Sequence, residues 1–265
     1  MSYNMNFTEI FLHLGIGKTG TKFLQYDFFP FLKNTIYIHR WRIEKTIGFL
    51  KSIQNVGKKI LYSGEYDIEL DKIITLLSKE LPYAGIILVF RRQDEWILSQ
   101  YKRFVKNGYH ISFQDFFNLK DGFYYKPKDL FFYPKIEKII NYMKKGAIFL
   151  NYESLRKRPK DFLKKISDYI GTDWFNMIRY KERHKSYSEK QLKFSYVASR
   201  FIKYTPSENT LRRILFILPI RYSLLYIGKF MPEIPYNIFP TEKELLEIRN
   251  YYRDDWEKCL SVFSI

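Results

Sequence analysis

Seven consecutive residues, Gly15-Ile16-Gly17-Lys18-Thr19-Gly20-Thr21, hold three glycines, one lysine and two threonines. They follow an apolar run, Ile10–Leu14, and lead into a helical pattern that stops before Pro30. Glycine lets backbone N–H groups approach an anion closely, and a following helix start adds partial positive charge. Lysine and threonine add a cation and hydroxyl donors, so the stretch reads as a cradle for a phosphate-like group. A Walker A loop needs a glycine five positions before Gly17, where this chain has Leu12. That spacing fails.

A second group stands later in the chain. The apolar run Gly85–Phe90 ends in Arg91, and Ser99 follows on an amphipathic helical pattern with Trp96, Ile97, Tyr101, Phe104 and Val105. Open α/β sheets bind ligands at the carboxyl ends of their strands, which is where Arg91 falls. An arginine fork with a serine donor suits a phosphate monoester. Asp94 reads as the N-cap of that helix and Asn107-Gly108 as its stop.

The elements that would position these groups alternate in type. Strand-like runs are Ile10–Leu14, Thr35–Ile38, Lys59–Tyr62, Gly85–Phe90 and Ala147–Leu150. Between and after them, Leu70, Ile73, Ile74, Leu77 and Leu81, then Phe162, Ile166, Tyr169 and Ile170, recur at helical spacing. The fold class expected is α/β: a parallel sheet flanked by helices, a P-loop-like loop for a phosphate-like group (a phosphosulfate loop by the resemblance given below), and a helical C-terminal third from about Thr172. No repeat or low-complexity linker divides the 265 residues, so a single domain spanning 1–265 is expected.

Taken together, the loop and the Arg91/Ser99 pair resemble the sulfotransferases that use 3′-phosphoadenosine 5′-phosphosulfate (PAPS). In that family a Lys-[Ser/Thr]-Gly-Thr loop holds the 5′-phosphosulfate, and an Arg-x₇-Ser element at a later strand–helix junction holds the 3′-phosphate. A third stretch, Ile148-Phe149-Leu150-Asn151-Tyr152-Glu153-Ser154-Leu155 with a helix running to Gly171, is similar to the family's strand–helix segment. Tyr251 to Trp256 gives a weaker echo. His13-Leu14-Gly15-Ile16-Gly17-Lys18-Thr19-Gly20-Thr21-Lys22 resembles the bacterial, carbohydrate-type branch. Two departures are Lys22, where the family usually has a second Thr or Ser, and Arg92-Gln93, where Asn-Pro is more familiar.

The resemblance implies the following roles. Gly17, Thr19, Gly20 and Thr21 would supply donors to the 5′-phosphate, with Lys22 beside them, and Lys18 would stabilise the leaving oxygen. Arg91 and Ser99 would clamp the 3′-phosphate. Glu65, after the third strand, is the first candidate for the base because carbohydrate-type members often use a glutamate; His39, after the second strand, is the second. His13 lies inside a strand and reads as packed, while His110 and His184 fall in polar stretches. The co-substrate implied is PAPS. No HxH, HExxH or paired acidic set is spaced for a metal.

Charge and composition widen the picture. Lys plus Arg number 45 against 28 acidic residues, a net charge of +17, which favours anionic partners. A sugar or glycolipid acceptor is the expected partner, and nucleic acid is not. The segment 211–230, apolar with flanking arginines, suggests peripheral membrane contact. A single cysteine, Cys259, excludes an internal disulfide, and no signal-like N-terminus appears, so a cytoplasmic protein is expected, peripheral at most at the inner membrane face. Trp41, Tyr66, Tyr109, Phe123 and Tyr124 are candidates for stacking on sugar rings, and the basic run Arg183–Ser188 for closing over the nucleotide. Competing classes are a sugar or small-molecule kinase with an atypical loop, and a non-catalytic binder using Arg156-Lys157-Arg158, Lys164-Lys165 and Arg212-Arg213.

Overall fold

The computed structural model describes residues 8–39, 43–53, 57–121, 124–175, 187–207, 209–235 and 237–263. The chain forms two compact units. The first comprises Met1–Arg91, Phe131–Arg183 and Tyr252–Ile265; the second comprises Arg92–Leu130 and His184–Tyr251.

The first unit is built on five parallel strands: β1 (Glu9–Gly15), β2 (Thr35–His39), β3 (Lys59–Glu65), β4 (Gly85–Phe90) and β5 (Ala147–Asn151). All five expected strands are present, and β3 runs on to include Glu65 as its last residue. The order is β2-β3-β1-β4-β5, so the second and third strands lie to one side of β1 and the fourth and fifth to the other. The carboxyl end of β1 is therefore a topological switch point, where such sheets bind ligands. The inner strands β1, β3 and β4 are covered on both faces and read as largely apolar runs, and every residue of β4 is buried.

One face carries Phe11, Leu61, Ile87, Val89, Ile148 and Leu150. It packs on Leu24, Phe28 and Phe29 after β1, and on Leu155, Phe162, Leu163, Ile166 and Ile170 after β5. Each such buried side chain contributes about 1.5–3 kcal/mol relative to exposure. Helices Leu70–Glu80 and Pro159–Ile170 match their expected spans, the latter ending at Gly171 in the left-handed conformation. The segment after the loop differs from a plain helix. Its α-helical part is only Thr21–Phe23, followed by a π-helical turn, Leu24–Phe28, and a 3₁₀ turn holding Pro30. Proline has no N–H to continue an α ladder, and the widened turn carries Gln25 into the core, where it is buried.

The C-terminal echo has a structural role. Asp255 is buried and its carboxylate accepts from the N–H groups of Phe132 and Tyr133 at 2.9 and 3.0 Å, capping the helix Tyr133–Tyr142.

The second unit is helical, with Gln93–Lys106, Phe113–Phe116, Glu189–Ala198, a helical run from Thr210 to Ile227, and Glu242–Tyr251. Tyr101 packs on Phe113, Phe116 and Phe239, and Trp96 on Tyr125. Asp94 is not the N-cap of its helix; Arg92 occupies that position. The Asp94 carboxylate is buried and committed elsewhere, held by Arg92 Nε at 2.7 Å and by Arg249 Nη2 at 2.9 Å.

Candidate functional site

The loop Ile16–Gly20 leaves β1 at its carboxyl end and turns sharply. Lys18 has φ +70° and Gly20 φ +84°. A left-handed lysine is uncommon, and residues held there tend to mark working sites. Gly20 is the residue that can adopt this conformation at no steric cost. A Cβ there would also lie 2.5 Å from Leu155 Cδ2, so the close approach itself excludes a side chain.

Both threonine hydroxyls turn inward. Thr19 and Thr21 are buried and donate to the same carbonyl, Ile16 O, at 2.7 and 2.8 Å. Their protons thus brace the loop. The backbone of Gly17–Gly20 is itself a hydrogen-bonded turn, and the helix starts at Thr21. A tight turn with left-handed residues at Lys18 and Gly20 forms a backbone concavity suited to an anion. Lys18 is half-buried within this turn, and Lys22 is exposed on the first helical turn.

Gly17 behaves differently from its neighbours. Its N–H donates to Asp67 Oδ1 at 2.6 Å. Asp67 escaped the reading of the sequence; the only local signal was a carboxylate two residues beyond Glu65. Tyr66, between them, donates its N–H to Gly15 O at 2.7 Å, so the end of β3 is stitched to the start of the loop.

Glu65 pairs in register with Gly15 and is exposed at the carboxyl end of β3. His39 is the last residue of β2, exposed, and pairs in register with Ser63. Side chains alternate along a strand, so His39, Ser63 and Glu65 share one face, with Glu65 the nearer to the loop's edge of the sheet. The His39 ring is held by Tyr37 Oη at 2.8 Å from Nδ1 and by the Tyr26 ring at 4.9 Å.

Under the loop lies a buried polar chain. His13 Nδ1 is 2.7 Å from Ser63 Oγ, and Gln25 Nε2 donates to the same oxygen at 3.0 Å. Burial lowers the His13 pKa from 6.5 to about 3, so the ring is neutral and packed, as a histidine inside a strand should be.

Arg91 follows β4 and is half-buried, its guanidinium carbon 4.9 Å from the centre of the Tyr152 ring. That cation–π contact flattens the guanidinium against a surface. Ser99 is half-buried on Gln93–Lys106, in the second unit. Of the stacking candidates, Tyr66 is buried and hydrogen-bonded to Tyr62, while Tyr109 and Tyr124 pack against Phe104. Ser188 caps Glu189–Ala198 in a capping box with Gln191. Trp41, Phe123, Arg183, His184, Lys185 and Ser186 lie outside the described residues. Among the described residues no cluster of His, Cys, Asp and Glu could hold a metal ion.

Two solved structures share this architecture. A sulfotransferase from Alicyclobacillus acidocaldarius has a TM-score of 0.51 at 10% identity, covering 79% of this chain and 96% of its own. The mouse sulfotransferase SULT7A1 complexed with PAP has a TM-score of 0.50 at 16% identity, covering 94% of this chain and 85% of its own. The fold is the sulfotransferase fold. At such identities the likeness concerns the path of the backbone. Neither the protein-family models nor the curated proteins give a match to this sequence. The loop at the end of β1 and the arginine at the end of β4 lie at the carboxyl edge of the sheet, the edge at which open α/β sheets in general bind ligands.

Proposed function

We propose that residues 1–265 act as one cytoplasmic sulfotransferase-like domain that moves the sulfuryl group of PAPS onto a hydroxyl of a carbohydrate or glycolipid, releasing 3′,5′-ADP. The observation that carries this reading is the turn at Lys18–Thr21: left-handed residues at Lys18 and Gly20 and a half-buried lysine at the switch point of the sheet. The mouse neighbour, which is complexed with PAP, supports it. So does the Arg-x₇-Ser spacing of Arg91 and Ser99.

PAPS supplies an activated sulfuryl group on a phosphate leaving group, and the chain's residues do the rest. The N–H groups of Thr19, Gly20 and Thr21 hold the 5′-phosphate. They are fixed before binding, because both threonine hydroxyls lock the loop to Ile16 O. Donors held in place beforehand stabilise developing charge without reorganisation. Lys18 places its ammonium against the leaving oxygen. Gly17 and Lys22 flank the phosphate, Gly17 through the backbone that Asp67 steadies. Glu65 takes the acceptor's proton, since it ends β3 beside Gly15 and is exposed to an incoming hydroxyl. His39 is the alternative base and lies one side-chain step further from that edge. Arg91 and Ser99 clamp the 3′-phosphate.

The test is nucleotide selectivity. Calorimetry should show 3′,5′-ADP binding at least tenfold tighter than ATP, without magnesium, with Arg91→Ala weakening it about ten- to a hundredfold. Equal binding of ATP would overturn the assignment.

A further inference from the structure

Between Asn209 and Pro232 the chain carries Arg212, Arg213, Arg221 and Lys229 and no acidic residue. The helical run through this segment buries Ile217, Arg221, Leu224, Leu225 and Gly228. That spacing is one narrow stripe, and Ile217 and Leu224 join Tyr204 in a small core beneath it. A helix on a water-facing surface would set polar residues on the remaining arc. Here the arc is apolar: Leu211, Leu215, Phe216, Tyr226 and Phe230 are 61–70% exposed, with Ile214, Tyr222 and Ile227 also exposed. Scattered exposed apolar residues are ordinary, but a run of seven on one helical segment, with Phe230 in the turn after it, is not.

We propose that this segment docks lengthwise on an anionic bilayer surface. Its exposed cations stand at its two ends, Arg212 and Arg213 before the apolar stretch and Lys229 after it, and attract lipid phosphates. The leucines and aromatic rings between them enter the acyl boundary. No helix among the described residues is long and apolar enough to cross a membrane, so the segment lies on the bilayer. A second copy of the chain fits the surface poorly. A two-fold contact sets a patch against itself, which here brings acid-free cationic faces together in a chain of net charge +17. The surface is independent of the proposed sulfuryl transfer, although it suits an acceptor that is itself held in a membrane.

The experiment is co-sedimentation of the full chain with vesicles of phosphatidylcholine, alone or mixed with phosphatidylglycerol, at low and high salt. The expected result is pelleting with the mixed vesicles at low salt, about tenfold weaker with phosphatidylcholine alone and reduced by salt. The triple variant Leu215→Ser/Phe216→Ser/Phe230→Ser alters only exposed positions, so its melting temperature should match the parent while vesicle binding is lost. No association at low salt, or pelleting unchanged in the triple variant, overturns the proposal. So does a dimer in analytical ultracentrifugation that the variant abolishes without any vesicle binding by the parent. Binding of 3′,5′-ADP is measured separately, so either result stands without the other.

Discussion

Acid should find His13 before it finds most of the fold. The ring is 0% exposed, and its Nδ1 hydrogen-bonds a neutral serine hydroxyl. Gln25 Nε2 donates to Ser63 Oγ, Ser63 Oγ and His13 Nδ1 share a hydrogen bond, and the ring's Nε2 meets no partner among the described residues. Protonation would bury a full charge away from water, which is why the pKa falls from 6.5 to about 3. The folded value lies below the unfolded one, so the unfolded chain takes up the proton first. The contribution to stability is complete above pH 6.5 and is lost as the pH falls toward about 3. At about 1.4 kcal/mol per pH unit, moving from pH 7 to pH 5 removes about 2 kcal/mol through this one residue. The comparison is chemical denaturation of the parent and His13→Asn at both pH values. Asparagine offers Oδ1 where the imidazole offered Nδ1, and it does not titrate. The parent should lose about 2 kcal/mol more than the variant across the interval, the other titrations cancelling. Equal losses would refute the reasoning.

Three further outcomes follow from the loop and the sheet edge. Lys18→Ala should lower kcat at least about a hundredfold while leaving 3′,5′-ADP binding within about tenfold, read from initial rates and calorimetry. Glu65→Gln should lower kcat about 10²- to 10⁴-fold with little change in acceptor KM, whereas His39→Asn should not; the reverse pattern would move the base to His39. Gly20→Ala places a side chain at φ +84° and 2.5 Å from Leu155 Cδ2, so it should cost about 1–3 kcal/mol in a thermal or urea melt and weaken nucleotide binding with it.

Much of this protein follows from short stretches of its sequence. The five strands are apolar runs whose neighbours are turn residues, and the helices after them repeat at helical spacing, so each element is decided within about ten residues. The glycines, lysine and threonines of the loop announce an anion site because the backbone conformation they permit is local. The π-helical turn after Phe23 had no such signature, since it arises where Gln25 is drawn toward Ser63, a partner far away in the chain.

What the tertiary structure decided is which polar groups meet. Strand order is set by packing, and it is β3 entering between β2 and β1 that puts Glu65 beside Gly15 and Ser63 beside His13. The same pairing delivers Asp67 to the Gly17 N–H across 50 residues of chain. Asp255 caps a helix that begins more than 120 residues earlier, and Asp94 is drawn from its expected capping place by Arg249. Spacing along the sequence cannot reveal such partners, because a buried carboxylate or amide takes whichever donor the packed elements bring within reach. The loop and the chemistry it suits belong to the sequence, while the bracing by Asp67, the neutral histidine beneath and the exposed apolar arc of 211–230 belong to the fold.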